Sequence, residues 1–358
     1  VRLMSLIANS DLPTFARLRQ EGLEVLDASR AAQQDIRELH VGIMNLMPDP
    51  ALQATERQFM RMVGSCNRIA QFKIHLFSAP GIPRDVQAAA HIAQYYEPFE
   101  QIKASGLDAL ILTGANPAQS DITKEPFWDS MLEVVDWAQE NVSSVLCSCL
   151  ASHALVKQFH GIERYKLPQK RWGVYSHRIT QEAHPLTANI NTRFDAPHSH
   201  VYEVNAKQLK DKNLKVLAAS EEADFHLATS EDGFRFVYFQ GHPEYDAISL
   251  FKEYKREVGR FIEGTIETYP AFPEHTFSRQ AAKILSEFRD EVLSSDSNDV
   301  SMSLFPEEQV LPHLDNTWSD TGKAVVNNWL GLVYQLTDKD RKAPFMKGID
   351  PQNPLGLI

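Results

Sequence analysis

Apolar and polar positions alternate between two periods along the middle of the chain. Residues 41–48 are a mostly apolar run stopped by Pro48, which predicts a buried strand. Residues 55–63 carry Phe59, Met60 and Val63 on one side, which predicts a helix. The stretch Phe72-Lys73-Ile74-His75-Leu76-Phe77 alternates with period two, as a strand does. A helix over 99–107 and a strand over 109–114, ending at a glycine turn, come next. The helix predicted over 128–141 sets Leu132, Val135 and Ala138 roughly on one stripe. A strand over 144–149 then runs directly into a helix over 150–159. Strand and helix thus alternate four times between residues 41 and 160. That alternation predicts an α/β fold built on a doubly wound, mostly parallel sheet, flavodoxin-like in its winding. Such sheets bind ligands beyond the carboxyl ends of their strands.

The second half predicts further strands near 202–204, 215–219, 225–228 and 234–239. A long amphipathic helix over 246–264 follows, with Asp246 as its N-cap and Leu250, Tyr254, Val258 and Phe261 along one face. The pattern divides the chain into four parts: a polar, helical N-terminal arm (1–38), an α/β catalytic domain (39–267), an insertion or flexible segment (268–312), and a C-terminal segment (313–358). In the third part, Pro270 and Pro273 precede a charged helix over 278–293, and the polar stretch 294–299 reads as an exposed or partly disordered loop. In the fourth, Val325, Trp329, Leu332 and Val333 restore helical spacing, so this segment is expected to pack back on the domain.

Composition removes several classes of function. Of 358 residues, 43% are apolar and 23% charged, an ordinary globular balance with length enough for a substantial core. No apolar run reaches the roughly 20 residues of a membrane-spanning helix. The short apolar patch near the N-terminus lacks the core and cleavage site of a signal peptide. With 36 basic against 47 acidic residues, the net charge of −11 disfavours binding to nucleic acid or to an anionic membrane. The three cysteines, Cys66, Cys147 and Cys149, are too few for a disulfide framework. They point to a reducing, cytoplasmic setting in which a thiol can do chemistry.

Cys149 falls where a strand ends and a helix begins, with Ser148 before it and Ala151 and Ser152 after it. Small neighbours allow the sharp turn that exposes a nucleophile at the top of a sheet. The helix N-terminus beyond it lowers a thiol pKa and offers amides to an oxyanion. The same position also suits a small buried hydrophobe, the common state of a free cysteine. Cys147 lies inside the strand and reads as core. The run Gln240-Gly241-His242-Pro243-Glu244-Tyr245-Asp246 also stands at a strand's carboxyl end. There His242 suits a general base and Glu244 the carboxylate that holds its tautomer. His153, His198 and His200 are the competing metal ligands, but no C-x-x-C or H-E-x-x-H spacing accompanies them, so no metal is expected. No phosphate-binding loop and no dinucleotide fingerprint is present.

Several blocks in this order resemble the homoserine O-acyltransferase family (the homoserine O-succinyltransferases and their acetyl-using relatives). These are Ile43-Met44-Asn45-Leu46-Met47-Pro48, Thr55-Glu56-Arg57-Gln58-Phe59, Leu112-Thr113-Gly114-Ala115 and Lys166-Leu167-Pro168-Gln169-Lys170. Ala196-Pro197-His198-Ser199, Gly241-His242-Pro243-Glu244-Tyr245-Asp246, Glu253-Tyr254-Lys255-Arg256 and Asn328-Trp329-Leu330 continue the series, so the resemblance spans most of the chain. It implies a fold like class I glutamine amidotransferases, and a homodimer.

The resemblance also implies roles. Cys149 would accept the acyl group, His242 would be the general base and Glu244 its partner. The backbone N–H groups of Leu150, Gly114 and Ala115 would hold the oxyanion. Lys170, Ser199, Glu253 and Arg256 match positions that bind homoserine or shape the acyl site. Glu253 and Arg256, three apart on one helix, can also pair with each other. The residue shortly after the Thr-Gly-Ala turn separates acyl donors in the family. Ala118 stands there, small and neutral, which leaves room for a succinyl group. The expected reaction is therefore succinyl transfer from succinyl-CoA to L-homoserine for methionine biosynthesis, with acyl-CoA as co-substrate and no tightly bound cofactor. The alternatives are the same chemistry with acetyl-CoA or with L-serine, a glutamine amidotransferase-like hydrolase, and a non-catalytic relative. Departures from the family pattern are Leu150-Ala151-Ser152-His153-Ala154 in place of Trp-Gly-Ala-Gln-Ala, a first-strand loop without the family's lysine, and a longer 268–312 segment.

Overall fold

In the computed structural model, which describes residues 6–23, 25–33, 36–66, 70–294 and 301–358, eleven strands hydrogen-bond into one sheet. They are β1 (Leu6–Ala8), β2 (Val25–Asp27), β3 (Glu38–Met44), β4 (Gln71–Phe77), β5 (Ala109–Leu112) and β6 (Ser144–Ser148), followed by β7 (Tyr165–Ile179), β8 (Arg193–Glu203), β9 (Lys215–Ser220), β10 (Asp224–Thr229) and β11 (Phe236–Phe239). Their spatial order is β2-β1-β4-β3-β5-β6-β11-β10-β9-β7-β8. Neighbours from β2 across to β11 are parallel, and those from β11 to β8 are antiparallel.

β3, β5 and β6 are buried along almost their whole length, because helices cover both faces of the sheet. Alternate residues of each strand therefore enter different cores. On one face Val41, Ile43 and Ile111 pack with Phe59, Met60 and Val63 of the helix Asp49–Gly64 and with Val325, Trp329 and Val333 of the helix Ser319–Leu336. On the other, Met44, Leu110, Leu112 and Val145 pack with Met131 and Val135 of the helix Trp128–Asn141 and with Leu155 of the helix Leu150–His160. The chain leaves β3 toward β4 on one side, and β5 lies on its other side. The carboxyl ends of β3 and β5 thus flank the point where the winding reverses, and β6 and β11 follow immediately.

The structure corrects four readings of the sequence. In place of a helical N-terminal arm, β1 and β2 extend the parallel sheet beyond β4, with the helix Pro13–Gln20 between them. Three-residue strands are too short to display an alternation. β7 and β8 form a long antiparallel pair of 15 and 11 residues, where the sequence suggested only a strand near 202–204. The first half of β7 is exposed or half-buried, so no apolar period marks it. The helix expected from 246 runs from Ser249 to Ile262, and Asp246 is not its cap. The Asp246 carboxylate pairs instead with Arg61. The segment 268–312 is not a loose insertion in its described part. Phe288 of the helix Arg279–Ser294 packs with Phe305 against Phe251, Tyr254 and Val258, with Phe272 and Phe277 beside them. The backbone of Glu274 bonds to β7 on both sides, Glu274 N to Trp172 O at 2.7 Å and Val174 N to Glu274 O at 2.9 Å. Residues 295–299 of the expected polar loop lie outside the described residues.

Candidate active site

β6 and β11 are parallel neighbours in a register that sets Ser148 beside Phe239. Cys149 is the next residue on one strand, and His242 comes three residues beyond the other. Cys149 has φ 48° and ψ −108°, a conformation costly for any side chain bearing a Cβ. The turn is held from several sides: Cys149 N donates to Phe239 O at 2.7 Å, and Ser152 Oγ donates to Cys147 O at 3.0 Å and Phe239 O at 2.9 Å. The turn after β5 closes over this pair. A Cβ on Gly114 would lie 3.6 Å from Cys149 Cβ and 3.7 Å from His242 Cε1. Leu150 opens the helix Leu150–His160, whose first amides have no acceptor within the helix. Of the expected oxyanion-hole residues, Gly114 lies against Cys149 and His242, and Leu150 is the first residue of the helix that follows the thiol.

His242 is fixed by its own backbone, which donates to Pro197 O at 2.8 Å, and by its ring. Nδ1 lies 2.8 Å from Glu244 Oε1, and the imidazole stacks on Tyr245 with centroids 4.4 Å apart. Burial alone would lower its pKa. The Glu244 carboxylate and the Cys149 thiol, which hydrogen-bonds the ring, outweigh burial and raise it well above the ordinary histidine value. With Nδ1 engaged by Glu244, Nε2 is the nitrogen left for the thiol. Gln240 adds a contact that the sequence did not single out: its Nε2 is 3.9 Å from Cys149 Sγ, and its Oε1 is 2.5 Å from His153 Nε2. Burial lowers the pKa of His153 to about 3, so the neutral ring donates to Gln240.

Three of the expected acceptor-site residues meet around one carboxylate. Glu253 Oε2 accepts from Lys170 Nζ at 2.9 Å and from Ser199 Oγ at 2.6 Å. Its Oε1 accepts from the Tyr245 hydroxyl at 3.0 Å, which ties this cluster to the ring stacked on His242. Lys170 comes from β7, Ser199 from β8 and Glu253 from the helix Ser249–Ile262. Arg256 is not brought to Glu253, contrary to the pairing expected from their spacing. Its Nε bonds Glu257 at 3.2 Å, and its side chain is 59% exposed. Lys170, Ser199 and Tyr245 draw the Glu253 carboxylate toward β7, β8 and the His242 block, and Arg256 lies on the wetter side of the helix. Tyr245 was overlooked in the sequence, although it stands inside the same strand-end block as His242.

Ala118 lies in the turn beyond β5. Its amide donates to Glu125 Oε1 at 3.0 Å and Oε2 at 3.1 Å, and the Gln119 amide to Glu125 Oε1 at 3.0 Å. Arg164 Nη2 stands 3.6 Å from Glu125 Oε1, both side chains being almost fully buried. Neither Glu125 nor Arg164 carried a signal in the sequence, because neither belongs to an apolar period or a motif.

His177, His198 and His226 each bring a ring nitrogen within 4.8 Å of the others in the core behind Gly241, and among the described residues they are the buried group that could hold a metal ion. Burial pushes their basicity down, that of His177 to about 4, and His198 Nε2 shares a hydrogen bond with His177 Nε2 at 3.1 Å. Of the three histidines weighed in the sequence as competing ligands, only His198 belongs to this group, and His153 and His200 do not.

A family profile described as homoserine O-succinyltransferase matches residues 5–339. The homoserine O-succinyltransferase of Methylobacter tundripaludum is 57% identical over 354 residues, covering 99% of this chain and 100% of its own length. That of Methylococcus capsulatus is 56% identical over 354 residues, with the same 99% and 100% coverage. Among solved structures, a glutamine amidotransferase from Thermotoga maritima matches with a TM-score of 0.43 at 13% identity, over 84% of this chain and 99% of that one. A glutamine amidotransferase from Methylobacillus flagellatus matches with a TM-score of 0.45 at 12% identity, over 83% of this chain and 95% of that one.

Proposed function

Because the chain belongs to the homoserine O-succinyltransferase family, we propose that it moves the succinyl group of succinyl-CoA onto the side-chain hydroxyl of L-homoserine through a thioester on Cys149, a step of methionine biosynthesis. The observation that carries this reading is the Cys149–His242–Glu244 line across the ends of two adjacent parallel strands.

The raised pKa of His242 suits it to take the Cys149 proton and to stay beside the sulfur as an imidazolium. The thiolate attacks the thioester carbonyl of succinyl-CoA. The Leu150 amide and the Gly114–Ala115 turn receive the negative charge on that oxygen. The carbon–sulfur bond to CoA breaks, His242 gives its proton to the leaving thiolate, and a succinyl thioester remains on Cys149. Neutral His242 then takes the proton of the homoserine hydroxyl as that oxygen attacks the acyl carbon. Collapse expels the Cys149 thiolate and restores the ion pair. Glu244 holds the ring in orientation throughout.

The acceptor site is read from Glu253 and its neighbours. Glu253 binds the ammonium group of homoserine, while Lys170, Ser199 and Tyr245 keep its carboxylate aimed. Arg256 turns from Glu257 to the α-carboxylate, for which its planar fork is suited. Ala118, with no side chain beyond Cβ, leaves space for the succinyl arm. A homodimer is part of the proposal, and sedimentation at micromolar concentration tests it. Among the described residues, no helix is long and apolar enough to cross a membrane.

The test measures free CoA thiol with acetyl-CoA and succinyl-CoA, each against L-homoserine and L-serine. Succinyl-CoA with L-homoserine should be fastest, and serine, one methylene shorter, slower by roughly 10- to 200-fold. Ammonia release from glutamine with no CoA release in any pairing would overturn the reading.

A further inference from the structure

Arg164 follows the helix Leu150–His160 that springs from Cys149, and returns its guanidinium to the turn beyond β5. There Nη2 donates to Gln119 O at 2.6 Å, and the flat face covers the Tyr202 ring with the guanidinium carbon 4.1 Å from the centroid. The side chain is only 3% exposed. Its Nε and Nη1 are buried and have no hydrogen-bond partner among the described residues. Buried guanidinium donors are costly to leave unused, and a native core rarely does so without a reason.

The charge beside Arg164 does not fill those donors. Glu125 stands 3.6 Å from Nη2, beyond hydrogen-bond length, and directs its oxygens to the amides of Ala118 and Gln119. Glu125 thus offsets the buried charge and leaves two donor positions open. Burial lowers the pKa of Arg164, and the charges of Glu125 and of Cys149 oppose that shift. His153, which holds Gln240 against Cys149, feels Arg164 as well. Gly114, at the start of the same turn, lies against both Cys149 and His242.

We propose that Arg164 is a specificity residue whose open donors bind the distal carboxylate of a dicarboxylic acyl group carried on Cys149. The inference rests on the acyl-transfer reading above and deepens it. A succinyl thioester carries its carboxylate two methylenes beyond the acyl carbon, whereas an acetyl or butanoyl thioester carries no charge there. Arg164 therefore selects the donor by charge at the far end of the acyl chain, while the small Ala118 side chain governs only space. A site with unused buried donors penalises a ligand that cannot fill them.

The experiment compares kcat/KM for succinyl-CoA with that for butanoyl-CoA, the uncharged donor of equal chain length, using L-homoserine as acceptor. In the unmodified protein the ratio should favour succinyl-CoA by about 10-fold or more. Arg164→Gln should lower that ratio by about 10- to 100-fold, and Arg164→Lys, which keeps the charge without the planar fork, by less. A ratio unchanged in Arg164→Gln overturns the proposal. If that variant does not fold, the unmodified protein still decides: equal use of butanoyl-CoA and succinyl-CoA overturns it. No acyl transfer from any CoA donor would instead sink the functional reading itself, which sets the two failures apart.

Discussion

His242 is held by three different contacts: a backbone bond to Pro197, the Glu244 carboxylate, and the Tyr245 ring. The Glu244 contact decides its charge, since burial by itself would discharge the ring. Replacing Glu244 with Gln removes the largest opposing interaction, so the pKa of His242 should fall. The sign follows: if activity needs the imidazolium–thiolate pair, the alkaline limb of the pH–kcat/KM profile moves to lower pH in Glu244→Gln. The rate at the optimum should drop by roughly 100- to 10,000-fold, because the ring also loses its tautomer partner. Steady-state kinetics across pH checks both, and an unmoved alkaline limb would contradict this role for Glu244. Cys149, His242 and Glu244 were legible in the sequence, because each stands at a strand end flanked by small or rigid residues. Gln240 and Tyr245 sit in the same block as His242, yet their partners, His153 and Glu253, come from other elements, so spacing alone could not assign them. The expected Glu253–Arg256 pair failed for the same reason. An i, i+3 rule considers one helix, and Glu253 is claimed by β7, β8 and Tyr245.

At the scale of elements, the Lys170–Ser199–Glu253 cluster proposed to bind the acceptor exists only because the β7–β8 pair lies over the helix Ser249–Ile262. Glu253→Gln keeps the shape and weakens the charge-assisted contacts. It should raise KM for L-homoserine by about 10- to 100-fold. Acylation by succinyl-CoA in the absence of acceptor should stay within about threefold of normal, since Glu253 touches no acyl-transfer group. Rapid-quench acylation beside steady-state KM separates the two effects, and equal losses in both would contradict the assignment. The helix Ser319–Leu336 supports the site from behind. A Cβ on Gly322 would come within 2.8 Å of Pro243 Cβ and 3.1 Å of Pro243 O. Gly322→Ala should therefore push on the His242-Pro243-Glu244 turn and lower kcat by roughly 10- to 100-fold. Far-ultraviolet circular dichroism should remain unchanged, and a normal kcat would mean that the turn can yield without cost. Nothing in the sequence marked Gly322, because its partner lies some eighty residues earlier in the chain.

For the whole molecule, the central αβ units were legible because β3, β5 and β6 are covered on both faces and read as unbroken apolar runs. The margins were not. β1 and β2 are three residues each, β7 is largely polar, and the 268–312 segment earns its place through aromatic contacts scattered over the chain. The C-terminal helix joins the core through Trp329, which is fully buried and donates its indole N–H to Ser144 Oγ at 2.7 Å, at the base of β6. Trp329→Ala should cost about 3–5 kcal/mol of folding stability. Urea unfolding measures this, and a loss below about 1 kcal/mol would show that the helix is not part of the cooperative core. The net charge of −11 is no obstacle to an anionic donor, since a buried cation such as Arg164 acts locally.

The central claim is the acyl-enzyme on Cys149. Intact-protein mass spectrometry after mixing with succinyl-CoA, without acceptor, tests it most directly. A single succinyl adduct should appear, map to the Cys149 peptide, vanish on addition of L-homoserine with formation of O-succinyl-L-homoserine, and be absent from Cys149→Ala. The same adduct on Cys149→Ala, or product formation by that variant at the normal rate, would contradict the account.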